Sequence, residues 1–128
     1  MNQEDAFRIL LVDDDPVQLR LREAVLREAA FEVTIATSAE IALSLLTAAA
    51  DPLRVRAILT DHLLPGATGA DFARQVRASH PRMPIVVLTG MPGAEEEYRG
   101  LDVKFLMKPV APGELVHTLR TAVAAAAA

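Results

Sequence analysis

Three consecutive aspartates, Asp13, Asp14 and Asp15, follow the apolar run Ile9-Leu10-Leu11-Val12, and a fourth, Asp61, follows Ala57-Ile58-Leu59-Thr60. Two further apolar runs end in Thr89 and in Lys108. Carboxylates held together repel and raise one another's proton affinity unless a cation neutralises them. A hard, oxygen-seeking ion meets that need: Mg²⁺ keeps several waters and binds one or two carboxylates together with phosphate oxygens. The chain has no cysteine, and its oxygen-rich ligand set fits Mg²⁺ or Mn²⁺ better than zinc. A hydroxyl and an ammonium group complete a set suited to a metal or a phosphate.

These residues are useful only if the fold brings them together. Five short, branched apolar runs at 7–12, 31–36, 55–60, 84–88 and 103–107 read as strands buried on both faces. Helical patterns fill the gaps, at 16–30, 38–49, 69–79 and 112–123. In the first of them Val17, Leu21, Ala24, Val25 and Leu26 fall on one side, with arginines and glutamates on the other. Asp15 suits its cap, Pro16 its first position, and Gln18 the place from which a capping box returns its amide. Strand and helix alternate throughout, which calls for an α/β fold: a doubly wound parallel sheet with helices on both faces and right-handed crossovers.

Ligands of such sheets bind outside the carboxyl ends of the strands, where the strand order reverses. Four of the five strands end there in a polar residue, at Asp13 and Asp14, Asp61, Thr89 and Lys108, whereas the second ends in Ala36 and is expected at the edge. In the order 2-1-3-4-5 the first and third strands are neighbours about 4.8 Å apart, so Asp14 and Asp61 converge.

Composition sets the bounds. The 128 residues suit a single domain, with its core at about 7–123 and an alanine tail at 124–128 that either extends the last helix or frays. Just over half the residues are apolar, and the net charge is −4 without a Lys/Arg cluster, so direct nucleic-acid binding lacks its electrostatic footprint. No apolar stretch is long enough to span a membrane. The polar, acidic start and the absence of cysteine point to the cytoplasm.

Ile-Leu-Leu-Val-Asp-Asp-Asp-Pro at 9–16, Thr-Asp-His-Leu-Leu-Pro-Gly at 60–66 with Gly69 beyond, Val-Leu-Thr-Gly at 87–90 and Lys-Pro at 108–109 resemble the receiver domain of two-component response regulators, over about residues 7–123. The family has the flavodoxin-like, CheY-like strand order used above, so order and resemblance form one expectation. By that resemblance Asp61 is the phosphoacceptor, Asp14 a direct Mg²⁺ ligand, Asp13 a ligand mainly through water, and the backbone carbonyl of Leu63 a further ligand. Thr89 is implied to hydrogen-bond the phosphoryl group, and Lys108 to pair with a phosphoryl oxygen or, before phosphorylation, with Asp61. The Lys108-Pro109 bond is expected to be cis.

The implied activity is phosphoryl transfer from a phosphohistidine, on a sensor histidine kinase or a histidine phosphotransfer protein, to Asp61. The domain is then a signalling module of a two-component or phosphorelay pathway that catalyses its own phosphorylation and dephosphorylation, with no turnover of an external substrate. In similar domains Thr89 is drawn to the phosphate and an aromatic near the end of the fifth strand moves into the space beneath; here that residue is Phe105, expected to shift inward. Leu63 and Gly90 flank the site where such domains vary in phosphoryl lifetime, and an apolar Leu63 is expected to keep water from the acyl phosphate.

The main departure lies at 90–102. Pro92, Gly93 and Gly100 leave only about 94–99 for a fourth helix, too short to stand without packing. That region is the usual output face and the surface for a phosphorylation-dependent homodimer. His62 is expected to point away from Asp61, and His80 and His117 to have surface or packing roles. Two other classes fit less well. A phosphorylation-independent interaction domain would have no need of the complete Asp, Thr and Lys set. An aspartyl-nucleophile hydrolase similar to the haloacid dehalogenases would use the Asp-x-Asp spacing of Asp13 and Asp15, but no cap domain is visible.

Overall fold

The computed structural model describes residues 7–47 and 54–127. Residues 1–6, the expected end of the second helix at 49 and the last residue of the alanine tail lie outside the described residues. The chain runs β1 (Arg8–Val12), α1 (Pro16–Glu28), β2 (Glu32–Ala36), α2 (Ala39–Thr47), β3 (Val55–Asp61), β4 (Leu63–Leu64), β5 (Ala67–Thr68), α3 (Gly69–Ser79), β6 (Ile85–Thr89), a 3₁₀ helix (Ala94–Tyr98), β7 (Lys104–Met107) and α4 (Pro112–Ala127).

Five strands form one parallel sheet in the order β2-β1-β3-β6-β7. This is the expected 2-1-3-4-5 arrangement of the five long strands. β4 and β5 are an unexpected addition, a two-residue antiparallel hairpin pairing Leu63 with Thr68 and Leu64 with Ala67. It lifts the chain off the end of β3 and delivers it to α3.

Because successive strand residues point to opposite faces, each inner strand feeds two cores. Leu10 and Val12 pack with Phe72 and Val76 of α3, while Ile9 and Leu11 pack with Leu19 and Leu26 of α1 and Leu119 of α4. The continuous apolar runs of the sequence follow from this two-sided burial.

Helix α1 corrects the expected face. Leu19, Arg22 and Leu26 are buried, whereas Val17 and Leu21 are 65% and 58% exposed and Ala24 is also exposed. Val25 and Leu26 of the expected stripe do pack inward, joined by Leu19 and by Arg22, which reaches a carboxylate at the end of β1. Asp15 caps α1 as expected, accepting from Val17 N–H at 2.9 Å and Gln18 N–H at 3.3 Å. The reciprocal half of the capping box does not form, because Gln18 Oε1 accepts from Arg22 Nη2 at 3.2 Å instead.

The segment after β6 is a 3₁₀ helix rather than a short α-helix. Gly93 (φ 87°) and Gly100 (φ 82°) bracket it in left-handed conformations that suit glycine. It survives through anchorage to α3: Arg74 donates to the Glu97 carbonyl at 3.0 Å, and Arg77 to the carbonyls of Leu101 at 2.8 Å and Asp102 at 3.1 Å. At the C-terminus α4 runs past Val123 to Ala127, so alanine's helix propensity extends the helix through the described part of the tail.

Candidate functional site

Asp61 is the last residue of β3, and Asp13 and Asp14 stand just past the end of β1, the strand that pairs with it. One carboxylate oxygen from each of Asp13, Asp14 and Asp61 lies within 4.8 Å of the others. They open into a cleft of about 420 Å³ whose wall also includes Gln18, Leu63 and Lys108. The convergence expected from strand order is therefore present.

The three carboxylates differ in surroundings. Asp61 is 9% exposed, and its Oδ1 lies 2.5 Å from Lys108 Nζ, the pairing the resemblance implies for the unphosphorylated state. Lys108 is placed by its own N–H, which donates to the Thr89 carbonyl at 2.9 Å, and its bond to Pro109 is cis as expected. Asp13 is buried and held at both oxygens: Oδ1 accepts from Asp15 N–H at 3.0 Å and Oδ2 pairs with Arg22 Nη1. Asp14 is exposed and pairs with no cation among the described residues. Two cations against three clustered carboxylates leave one uncompensated negative charge, located at Asp14. An all-oxygen donor set with a net negative charge and an exposed carboxylate at its mouth fits a hard divalent ion.

Thr89 ends β6 beside Asp61's strand, β3, and is 2% exposed. Its Oγ1 accepts from Met91 N–H at 2.9 Å, which ties the hydroxyl to the loop that follows and leaves the O–H as its donor. Leu63 sits on the cleft wall with a 56% exposed side chain. Gly90 would admit a Cβ, whose nearest neighbour would be Lys108 Cβ at 3.9 Å. Phe105 in β7 is half-buried, and its ring meets Tyr98 edge to face with centroids 5.0 Å apart.

His62 does turn away from Asp61, beneath the sheet's end. It is 2% exposed, its Nδ1 is 2.7 Å from the Tyr98 hydroxyl, and its Nε2 is 3.4 Å from Glu97. Burial, reinforced by Glu97, pushes the Tyr98 phenol well above its ordinary value, so it stays a neutral hydroxyl at physiological pH. His80 joins Ser79 Oγ at 2.9 Å and His117 is exposed; neither enters an acidic or metal-ligating cluster among the described residues.

Two participants escape a reading of the sequence. Arg22 reads with the other arginines as part of the polar side of α1, although its spacing of three and four residues from Leu19 and Leu26 places a cation on the inner face. Tyr98, the chain's single tyrosine, lies in a segment whose brevity suggested little packing, yet it is 3% exposed. Nothing local to the sequence joins it to His62, 36 residues away.

Comparison with known proteins gives a consistent result. A family model described as the response regulator receiver domain matches residues 9–120. Among curated proteins the chain is similar to the DNA-binding response regulator MtrA of Mycolicibacterium smegmatis, 36% identical over 116 residues, covering 88% of this chain and 49% of MtrA. It is 32% identical to the hydrogenase transcriptional regulatory protein HoxA of Cupriavidus necator, covering 91% of this chain and 24% of HoxA. The chain thus spans about half or less of the curated relatives it matches. Among solved structures, a response regulator receiver protein from Sinorhizobium medicae superposes with a TM-score of 0.84 at 30% identity, covering 96% of this chain and 98% of that one. The chemotaxis response regulator CheY4 of Vibrio cholerae gives 0.80 at 28% identity, covering 91% and 98%.

Proposed function

The chain belongs to the response-regulator receiver domain family, and from that premise we propose that it accepts a phosphoryl group onto Asp61 from a phosphohistidine on a histidine kinase or phosphotransfer protein. The observation that carries this reading is the gathering of Asp13, Asp14 and Asp61 within 4.8 Å at adjacent strand ends, with Lys108 on Asp61.

Phosphoryl transfer asks chiefly for in-line positioning and for neutralisation of charge on the equatorial oxygens. An Asp61 carboxylate oxygen forms the P–O bond as the P–N bond to the donor imidazole breaks, the electron pair returning to the ring. Lys108 moves from Asp61 to a phosphoryl oxygen, conserving its ion pair. The Thr89 O–H donates to another oxygen, drawing the loop that begins at Met91. Asp14, Asp61, Asp13 and the Leu63 carbonyl would hold Mg²⁺ or Mn²⁺, which when bound would supply the remaining positive charge.

The proposed switch is the pair Thr89 and Phe105. Phe105 packs edge to face against Tyr98, so its inward shift would change a contact made by the 3₁₀ helix. Readout thereby falls to the segment between β6 and β7. The protein is a signalling module acting in the cytoplasm that performs one self-directed transfer and then the hydrolysis of the Asp61 acyl phosphate to carboxylate and inorganic phosphate, and its effector lies on another chain or another part of the same one. Among the described residues no helix is long and apolar enough to cross a membrane.

The test is incorporation of phosphate from acetyl phosphate with Mg²⁺. The expected outcome is one phosphate per chain in the wild type and none in Asp61→Asn. Equal labelling of Asp61→Asn would overturn the assignment.

A further inference from the structure

We propose that Arg22 is a built-in counter-cation of the acidic cleft, which fixes the Asp13 carboxylate and lowers the affinity of the site for its divalent ion. The inference rests on the metal-site reading above and adds to it a residue that tunes the site.

Arg22 is 8% exposed and Asp13 1%, so both charges are withdrawn from water. The guanidinium is held at two points, by Asp13 Oδ2 through Nη1 and by Gln18 Oε1 through Nη2 at 3.2 Å. Gln18 itself lines the cleft, so the fork is part of its wall. The other Asp13 oxygen is taken by the Asp15 N–H at 3.0 Å. Each Asp13 oxygen thus already accepts one donor, and the guanidinium charge stands beside any divalent ion that shares this carboxylate. Asp14, exposed and without a paired cation among the described residues, is left as the direct ligand from this acidic run.

The same side chain has two opposed effects. A buried carboxylate stripped of its partner is an uncompensated charge and strongly destabilising, so Arg22 holds the metal-free site together. A fixed positive charge beside a divalent ion repels it, and partial burial weakens the screening. Arg22 and the ion thus share the task of neutralising Asp13, and each lowers the need for the other.

The experiment compares the wild type with Arg22→Met, which keeps a side chain of similar reach on the helix face and removes the charge. Mg²⁺ binding is measured by calorimetry, and thermal unfolding is followed in EDTA and in saturating Mg²⁺. Arg22→Met is expected to bind Mg²⁺ about tenfold tighter, to melt lower in EDTA, and to recover more on adding Mg²⁺ than the wild type gains. Folding of the variant only when Mg²⁺ is present would support the same conclusion. Affinity in Arg22→Met equal to or weaker than wild type overturns the proposal. Should that variant fold in neither condition, Arg22→Gln and Arg22→Lys carry the comparison: tighter binding by the glutamine variant supports it, and equal or weaker binding overturns it. Asp14→Asn separates the two readings. Loss of binding there with unchanged affinity in Arg22→Met sinks the role of Arg22 alone, whereas binding that survives Asp14→Asn sinks the metal-site reading and the counter-cation with it.

Discussion

If Asp61 is phosphorylated as proposed, Leu63 is the side chain at the rim placed to set the lifetime of the signal. It stands two residues past Asp61, on the wall of the cleft and more than half exposed. An apolar group there neither holds nor orients a water for attack on the acyl phosphate, whereas an amide can do both. Leu63→Asn is therefore expected to hasten self-dephosphorylation by about tenfold, a barrier change of about 1.4 kcal/mol. The check is loss of phosphate from the labelled protein with time; a slower loss in the variant would contradict the role given to Leu63. Lys108 and Thr89 need no such argument, since their placement follows directly from the ends of β7 and β6.

At the scale of elements, the informative junction is where β3, α3 and the 3₁₀ helix meet. Gly69 opens α3, its N–H donating to the His62 carbonyl at 2.6 Å. A Cβ on it would fall on the Tyr98 hydroxyl and lie 3.0 Å from the Asp61 carbonyl oxygen and 3.1 Å from His62 Cα. Two of those neighbours are backbone atoms, one in the last residue of β3 and one in the residue after it, and cannot move aside cheaply. Gly69→Ala is expected to cost about 1–3 kcal/mol, as overpacking in a tight site does. Urea unfolding measures it. Because the hydroxyl is one of the clashing atoms, Gly69→Ala combined with Tyr98→Phe should cost less than the two single changes added together; strict additivity would refute the contact as the cause.

For the molecule as a whole, the buried Tyr98 gives a signature in alkali. Burial, then Glu97, raises its phenol above the ordinary value of 10.0. Above that pH the unfolded chain releases the proton while the folded chain keeps it. The stabilisation is therefore complete below about pH 10 and is lost as pH rises beyond it. Tyr98→Phe should flatten this fall, seen as a shallower dependence of the urea midpoint on pH above about 10; parallel profiles would count against it. The net charge of −4 is unevenly spread, with the acidic cleft at the carboxyl ends of the strands and Arg56, Arg82 and Lys104 toward their amino ends. A partner that binds near the cleft therefore meets the negative end of the molecule.

The sequence by itself determined the alternation of strands and helices and the polar residues at the strand ends, and the family resemblance of its motifs added the strand order. Period and burial on both faces are local properties, and a parallel α/β sheet leaves few ways to arrange them. Asp13, Asp14, Asp61, Thr89 and Lys108 were legible for that reason: each closes an apolar run, and topology alone brings those ends together. Tertiary structure alone decided the inner face of α1. Of the expected apolar stripe Val17, Leu21, Ala24, Val25 and Leu26, only Val25 and Leu26 pack into the core, and the inner face is completed by Leu19 and by Arg22, whose partner Asp13 lies nine residues away. It also decided the fate of the segment at 94–98, where intrinsic helix preference was too weak to matter and Arg74, Arg77 and His62 supplied the anchors. Contacts of that kind join distant residues one pair at a time, with no period in the chain to announce them.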